Sequence, residues 1–165
     1  MRVVVLIALL CLAPVFSAVS ATLPEIPEVP QWVLHGVLGV ETSSFYAPTG
    51  EIVYINRKRG RAGERGPFQM TPAVFRETAG AGDVFADLAK DPEFAQGIFI
   101  RRMKDLYARL GSWDHCVRAY NVGVRGALLG RGNDYLDDVK TWAQRIHPAP
   151  REGVVTRAKR QPRGP

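Results

Sequence analysis

The sequence predicts a mostly α-helical domain that carries a small β-hairpin or loop insertion after its first helix. Three observations carry that expectation. Apolar residues recur at helical spacing early, at Leu34, Val37 and Leu38, and late, at Tyr135, Val139, Trp142 and Ile146. Capping residues followed by proline, Thr71-Pro72 and Asp91-Pro92, mark helix starts between them. One stretch, Ser43 to Arg65, loses the helical period, and it holds the run with strand character, Ile52-Val53-Tyr54-Ile55, behind a Pro48-Thr49-Gly50 turn.

Residues 1–21 read as an export signal, ahead of the folded domain. Arg2 gives the positive start, Val3 to Leu12 the apolar run, and Ala18-Val19-Ser20-Ala21 the small residues suited to cleavage. The run is short of the roughly 20 residues that span a bilayer, so no stable membrane anchor is expected after cleavage. Loss of Arg2 takes the formal charge from +6 to +5, since no acid precedes Glu25. A basic exported chain points to an anionic partner such as a cell wall, a membrane surface or nucleic acid. Cys11 leaves with the leader, so Cys116 is the sole mature cysteine and no internal disulfide can form. Cys116 shares a helical face with Tyr120 and reads as a small buried residue. A nucleophilic pair with His115 is disfavoured, because adjacent helical residues point about 100° apart.

The elements follow in order. Pro24, Pro27 and Pro30 make an extended lead-in, and Pro30 opens a helix over Gln31 to Thr42. On that helix Glu41 continues the face of Leu34, Val37 and Leu38 at i+7. The insertion follows, with Asn56 to Arg65 basic and glycine-rich. Thr71-Pro72 opens a short helix to about Thr78, and Asp83 can start another through Lys90. Asp91-Pro92 begins a longer helix to Leu110, stopped by Gly111. Ser112 can cap a helix through Asn121, a loop with Gly123, Gly126, Gly130 and Gly132 follows, and Asn133 caps the last helix. Residues 148–165 read as a disordered basic tail, either solubilising or a wall or partner contact.

Glu41 is the candidate for chemistry. A carboxylate at a helix C-terminus meets an unfavourable dipole, and an apolar flank desolvates it; both raise its pKa. A carboxyl kept protonated near neutral pH is what glycosidic cleavage needs, to protonate the leaving oxygen.

Beyond Glu41-Thr42 come Phe45 and Pro48, then Gly66-Pro67-Phe68-Gln69-Met70-Thr71-Pro72, then Ala119-Tyr120-Asn121-Val122-Gly123 ahead of Tyr135-Leu136-Asp137-Asp138-Val139. This order resembles the catalytic domain of the soluble lytic transglycosylases, within the lysozyme-like superfamily, over roughly Trp32 to Ile146. The resemblance implies a lysozyme-like domain over residues 22–147 and cleavage of peptidoglycan between N-acetylmuramic acid and N-acetylglucosamine, closing a 1,6-anhydro ring. It implies Glu41 as acid then base, Thr42 in place of the usual Ser, and Gln69 lining the glycan groove. It implies Tyr120 and Asn121 as a pair facing the glutamate, with the phenol able to bond it, and Gly66 and Gly123 as places of close backbone approach.

Other readings stay open. Phe68 and Met70 can be core packing, Tyr120 a core tyrosine, and Gln69 a loop cap. The basic run Arg57-Lys58-Arg59-Gly60-Arg61 can touch wall carboxylates or be a solvated loop. Glu41 to Gly66 spans 25 positions, longer than is usual in that family, and Pro67 and Phe68 stand for Leu and Met. The chain is expected to act as a monomer on peptidoglycan strands, with no metal or cofactor, since His35, His115 and His147 are scattered. Nucleic acid is not expected as a partner, because the basic residues show no aromatic interleaving. Two rivals remain: a hydrolytic muramidase using Glu51 or Glu64 as second carboxylate, and a catalytically silent wall-binding protein.

Overall fold

The fold is described by a computed structural model over residues 25–55 and 59–146. The leader, Pro24, the tail at 148–165, His147, and Arg57-Lys58 of the basic run lie outside the described residues, as does the side chain of Ile146. The elements are α1 (Gln31–Thr42), β1 (Phe45–Tyr46), β2 (Ile52–Val53), α2 (Pro72–Thr78), a 3₁₀ turn (Phe85–Ala89), α3 (Pro92–Leu110), α4 (Trp113–Leu128) and α5 (Asn133–Ile146). The fold is mostly α, with a two-stranded antiparallel hairpin after the first helix, as the pattern predicts.

α1 is buried at every position from Val33 to Gly39. A helix apolar on all sides belongs in the interior of a domain; α1 packs most closely on α5, with α4 and the hairpin also against it, while α2 and the 3₁₀ turn pack on α3. Val33, Val37 and Leu38 meet Ile98, Phe99, Met103 and Leu106 of α3, Val117 of α4 and Val139 of α5 in one core. α5 crosses α1 at two glycines. A methyl group on Gly36 would overlap the Val139 carbonyl, and one on Gly39 would overlap the Trp142 indole. The seam is therefore a close backbone approach that larger residues would block.

The hairpin pairs Phe45 with Val53 and Tyr46 with Ile52. Its turn is closed by Ala47 N–H to Glu51 O at 2.8 Å and Gly50 N–H to Ala47 O at 2.9 Å. Both predicted proline starts hold: Thr71 Oγ1 accepts from Val74 N–H at 3.2 Å, and Asp91 Oδ1 from Phe94 N–H at 2.9 Å. Gly111, at φ 64°, ends α3.

Several expectations need correction. Asp83 does not cap a helix: its carboxylate accepts from Gly80 N–H and pairs with Arg101, and the turn that follows is 3₁₀. Ser112 precedes α4 without a side-chain cap bond. Helical structure resumes beyond Asn121 as far as Leu128, broken only at Gly123 (φ 74°, ψ 164°), a conformation essentially restricted to glycine. Asn133 accepts from Arg118 through Oδ1, while the Gly132 carbonyl takes the first-turn N–H of Leu136. Cys116 is fully buried, and burial pushes its thiol up to about 11, the opposite of an activated nucleophile.

Candidate active site

Glu41 stands in the last turn of α1. Ser43 follows in the left-handed region (φ 56°), and its N–H closes the helix on Gly39 O at 2.8 Å. The chain turns there sharply enough to leave the Glu41 side chain half-buried against α5. Tyr135, in the first turn of α5, donates its phenol proton to Glu41 Oε1 at 2.6 Å. Removal from water raises the Glu41 pKa above 4.5; the Tyr135 bond pulls it back, and the nearby charge of Glu64 raises it again. Desolvation is the largest of the three. Tyr135 is in turn held well above its usual pKa by burial and by Glu41, which keeps the phenol protonated and donating.

The segment from Arg65 to Met70 is tied to the end of α1 where Thr42 Oγ1 meets the Pro67 carbonyl. Arg65 and Met70 exchange backbone bonds at 3.0 and 2.9 Å, and Gln69 N–H donates to Gly66 O at 3.0 Å inside them. Gly66 has φ 78° and lies against the Leu88 backbone carbonyl, where a Cβ would collide. Gln69 takes φ 47°, uncommon for a residue with a side chain, and its Nε2 donates to Gly66 O at 2.9 Å. Phe68 and Met70 turn inward, nearly without exposure, and Phe68 stacks on Phe99 at 4.3 Å. Tyr120 donates to the Phe68 carbonyl at 2.6 Å and packs edge-on against Phe99. Thr42 Oγ1 lies within hydrogen-bonding distance of the Leu38 carbonyl (3.1 Å), the Pro67 carbonyl (3.0 Å) and Ser44 Oγ (2.7 Å), while Ser44 Oγ accepts from Ile55 N–H at 3.0 Å. Thr42 and Ser44 thus join the helix end, the hairpin and the turn in one buried polar knot.

These positions sort the predicted residues. Glu41 is where the pattern puts it. Thr42 is 2% exposed and lies inside the protein, so it orders the turn and offers no surface to a sugar. Tyr120 is close enough to feel the Glu41 charge, but its proton goes to the turn. Gln69 closes the loop that carries it, and Phe68 and Met70 are core. Asn121 is exposed on α4, two residues before the Gly123 break. Gly66 does serve a close approach, but of the Leu88 backbone, whereas Gly123 has open space around it and is required for its conformation.

The residue that sequence reasoning missed is Tyr135, which periodicity places in an apolar stripe. The available signal was a phenol, a polar group that needs a partner when buried, at the start of a mostly apolar stripe. Of the two insertion acids, Glu64 is half-buried with its charge reaching Glu41, and Glu51 is exposed at the hairpin turn. Glu64 Oε2 accepts from Ala62 N–H at 2.9 Å.

Among the described residues no group of three His, Cys, Asp or Glu is placed to hold a metal ion, and no helix is long and apolar enough to cross a membrane. No protein-family model, curated protein or solved structure matches the chain.

Proposed function

We propose that this chain is an exported peptidoglycan lytic transglycosylase in which Glu41 acts first as acid and then as base. The observation that carries the reading is the state of that carboxyl: half-buried at a helix end, its pKa raised mainly by desolvation, and fixed by one phenol donor. Because Oε1 accepts from Tyr135, the acidic proton resides on Oε2, the oxygen that meets the sugar linkage. Oε2 protonates the oxygen between N-acetylmuramic acid and N-acetylglucosamine as the C1–O bond breaks. The muramic acetamido group supports the oxocarbenium-like centre, and the Glu41 carboxylate then removes the proton from the 6-hydroxyl, whose oxygen bonds C1 to close the anhydro ring. The proton returns to Glu41, so no water is consumed. Tyr135 is a positioning residue: it holds Oε1 still and lowers the cost of the transient carboxylate. The motif order from Glu41 to Val139 and the leader-like residues 1–21 support a wall substrate met outside the cytoplasm.

One observation favours a second reading, a hydrolytic muramidase. Glu64 is near enough for its charge to act on Glu41, and a second carboxylate at about 5–9.5 Å can serve the sugar or a water molecule. Purified wall digested by the protein and analysed by mass spectrometry separates the two. Anhydro ends are expected; exclusively reducing ends would overturn the transglycosylase and leave the muramidase. Glu41→Gln should reduce lysis by about 10³-fold, within the range of general acid catalysis, with an unchanged circular dichroism spectrum. Full lysis by that variant would exclude Glu41 from the chemistry, and wild-type protein that binds wall but releases no fragment would leave the catalytically silent wall-binding protein.

A further inference from the structure

A recess of about 580 Å³ opens between the first half of α1, the hairpin turn and α3. Gln31, His35, Tyr46 and Gln96 supply its polar lining. A second recess of about 340 Å³ shares Gly50 and Gln96 with it and continues past Glu93 and Gly97. The two form one trough along α3 that Glu41 does not line. His35 precedes Glu41 by about 9 Å of helix axis, and Gln31 lies further back.

The lining has a definite chemistry. It offers two amides, an imidazole and a phenol, with one carboxylate at the far end, so it is built for a neutral hydrogen-bonding ligand. Each amide keeps its NH2 donors beside an oxygen that is engaged within the lining but retains a second lone pair, which suits hydroxyl and acetamido groups. The His35 and Tyr46 rings stack on each other at 4.4 Å and 29°, which holds the Tyr46 ring stiffly at the recess. His35 is itself only 6% exposed, and its ring is tied to Gln31 Oε1 at 2.9 Å. The Tyr46 phenol donates to Gln96 Oε1 at 3.3 Å, the long end of the hydrogen-bond range, and a ligand hydroxyl can take its place. The total volume lies in the range of ligand sites, and two recesses in line fit an oligomer better than a single ring.

We infer that this trough is a second, non-catalytic carbohydrate site that holds a stretch of N-acetylhexosamine strand apart from the one being cut at Glu41. The identity of the strand rests on the glycan reading of the Glu41 site; the trough itself does not. Holding a second strand keeps the protein on an insoluble wall between cuts and leaves cleavage of small soluble fragments untouched.

The test uses the full chain with Glu41→Gln to prevent turnover, titrated with chitohexaose and followed by backbone amide NMR. The Gly50 and Gly97 amides should move as well as those of Gln69 and Tyr135. Gln96→Ala, and separately Gln31→Ala at the exposed rim, should weaken the Gly50 and Gly97 response by about tenfold while the other pair responds as before. In the active protein, Gln31→Ala should cut soluble wall fragments at the wild-type rate and show reduced retention on intact wall. Movement confined to Gln69 and Tyr135 would overturn the second site and leave the proposed function standing. A Gly50 and Gly97 response unaffected by either substitution would also overturn it. No movement at any of the four would remove the glycan reading together with the second site.

Discussion

The two consecutive segments that follow α1, the insertion and then the turn Arg65–Met70, are held in different ways. The turn Arg65–Met70 is fixed from all sides: by its own backbone bridge, by the Tyr120 phenol on Phe68 O, by Thr42 beside Pro67 O, and by Phe68 sunk into the core. Among the described residues of the insertion between Ala47 and Glu64, the backbone bonds are local: Ala47 to Glu51, Gly50 to Ala47, Gly60 to Glu64 and Gly63 to Gly60. Its anchors to the rest of the chain are fewer, with Ile55 N–H on Ser44 Oγ and Tyr54 buried, while the Ile55 side chain is 56% exposed. One segment is therefore part of the core, and the other is a largely local structure tied to it at fewer points. A site that must place one proton within tenths of an ångström needs the first kind of support. The second kind is free to vary with the strand it meets.

If that contrast is right, substitutions of similar size should have very different effects on the two segments. Gly66→Ala combines a disfavoured left-handed φ with collision against the Leu88 carbonyl, and should cost about 3 kcal/mol of stability. Chemical denaturation would measure it; a loss under 1 kcal/mol would mean that the turn yields. Tyr120→Phe leaves the Phe68 carbonyl without its donor in a buried place, at a cost of about 1–2 kcal/mol. Lysis should also drop in that variant, through displacement of the turn, even though Tyr120 gives Glu41 no bond.

A matched pair of variants probes the electrostatics across the site. Glu41 must be protonated to act, so activity falls as pH rises through its pKa. Tyr135→Phe removes the bond that lowers this pKa, so the alkaline limb of the rate profile should move to higher pH, with a lower maximum rate because the carboxyl is less well placed. Glu64→Gln removes the charge that raises it, so the limb should move to lower pH. Limbs that move together, or not at all, would disconnect Glu64 and Tyr135 from the carboxyl. Smallest of all, Ile55→Thr on the exposed insertion should change stability by less than about 0.5 kcal/mol, and thermal melts would show it.

Much of the fold is legible in the amino-acid pattern. α1 and α3 run between their predicted limits, α2 begins at its predicted cap, and the hairpin sits inside the one stretch lacking helical period. Periodicity, capping and proline act over a few neighbouring residues, so a local reading finds them. The break at Gly123 reads locally as the end of a helix, because a local signal cannot show that the helical path resumes beyond it. The α1–α5 seam is hidden for the same reason. Gly36 and Gly39 look like weak points in a helix until Val139 and Trp142 are seen to need their surfaces.

The sequence alone determined that Glu41 ends an apolar helix, and hence that it would be desolvated where the dipole opposes its charge. Only the tertiary structure decided what stands around it. The crossing of α5 over two glycines of α1 carries Tyr135 onto Glu41 across 94 positions, and sends Tyr120 and Thr42, both expected at the sugar, to secure the turn instead. Hydrogen-bond partners are fixed by which side chains come within about 3 Å in the packed chain, and no spacing along the sequence encodes that distance.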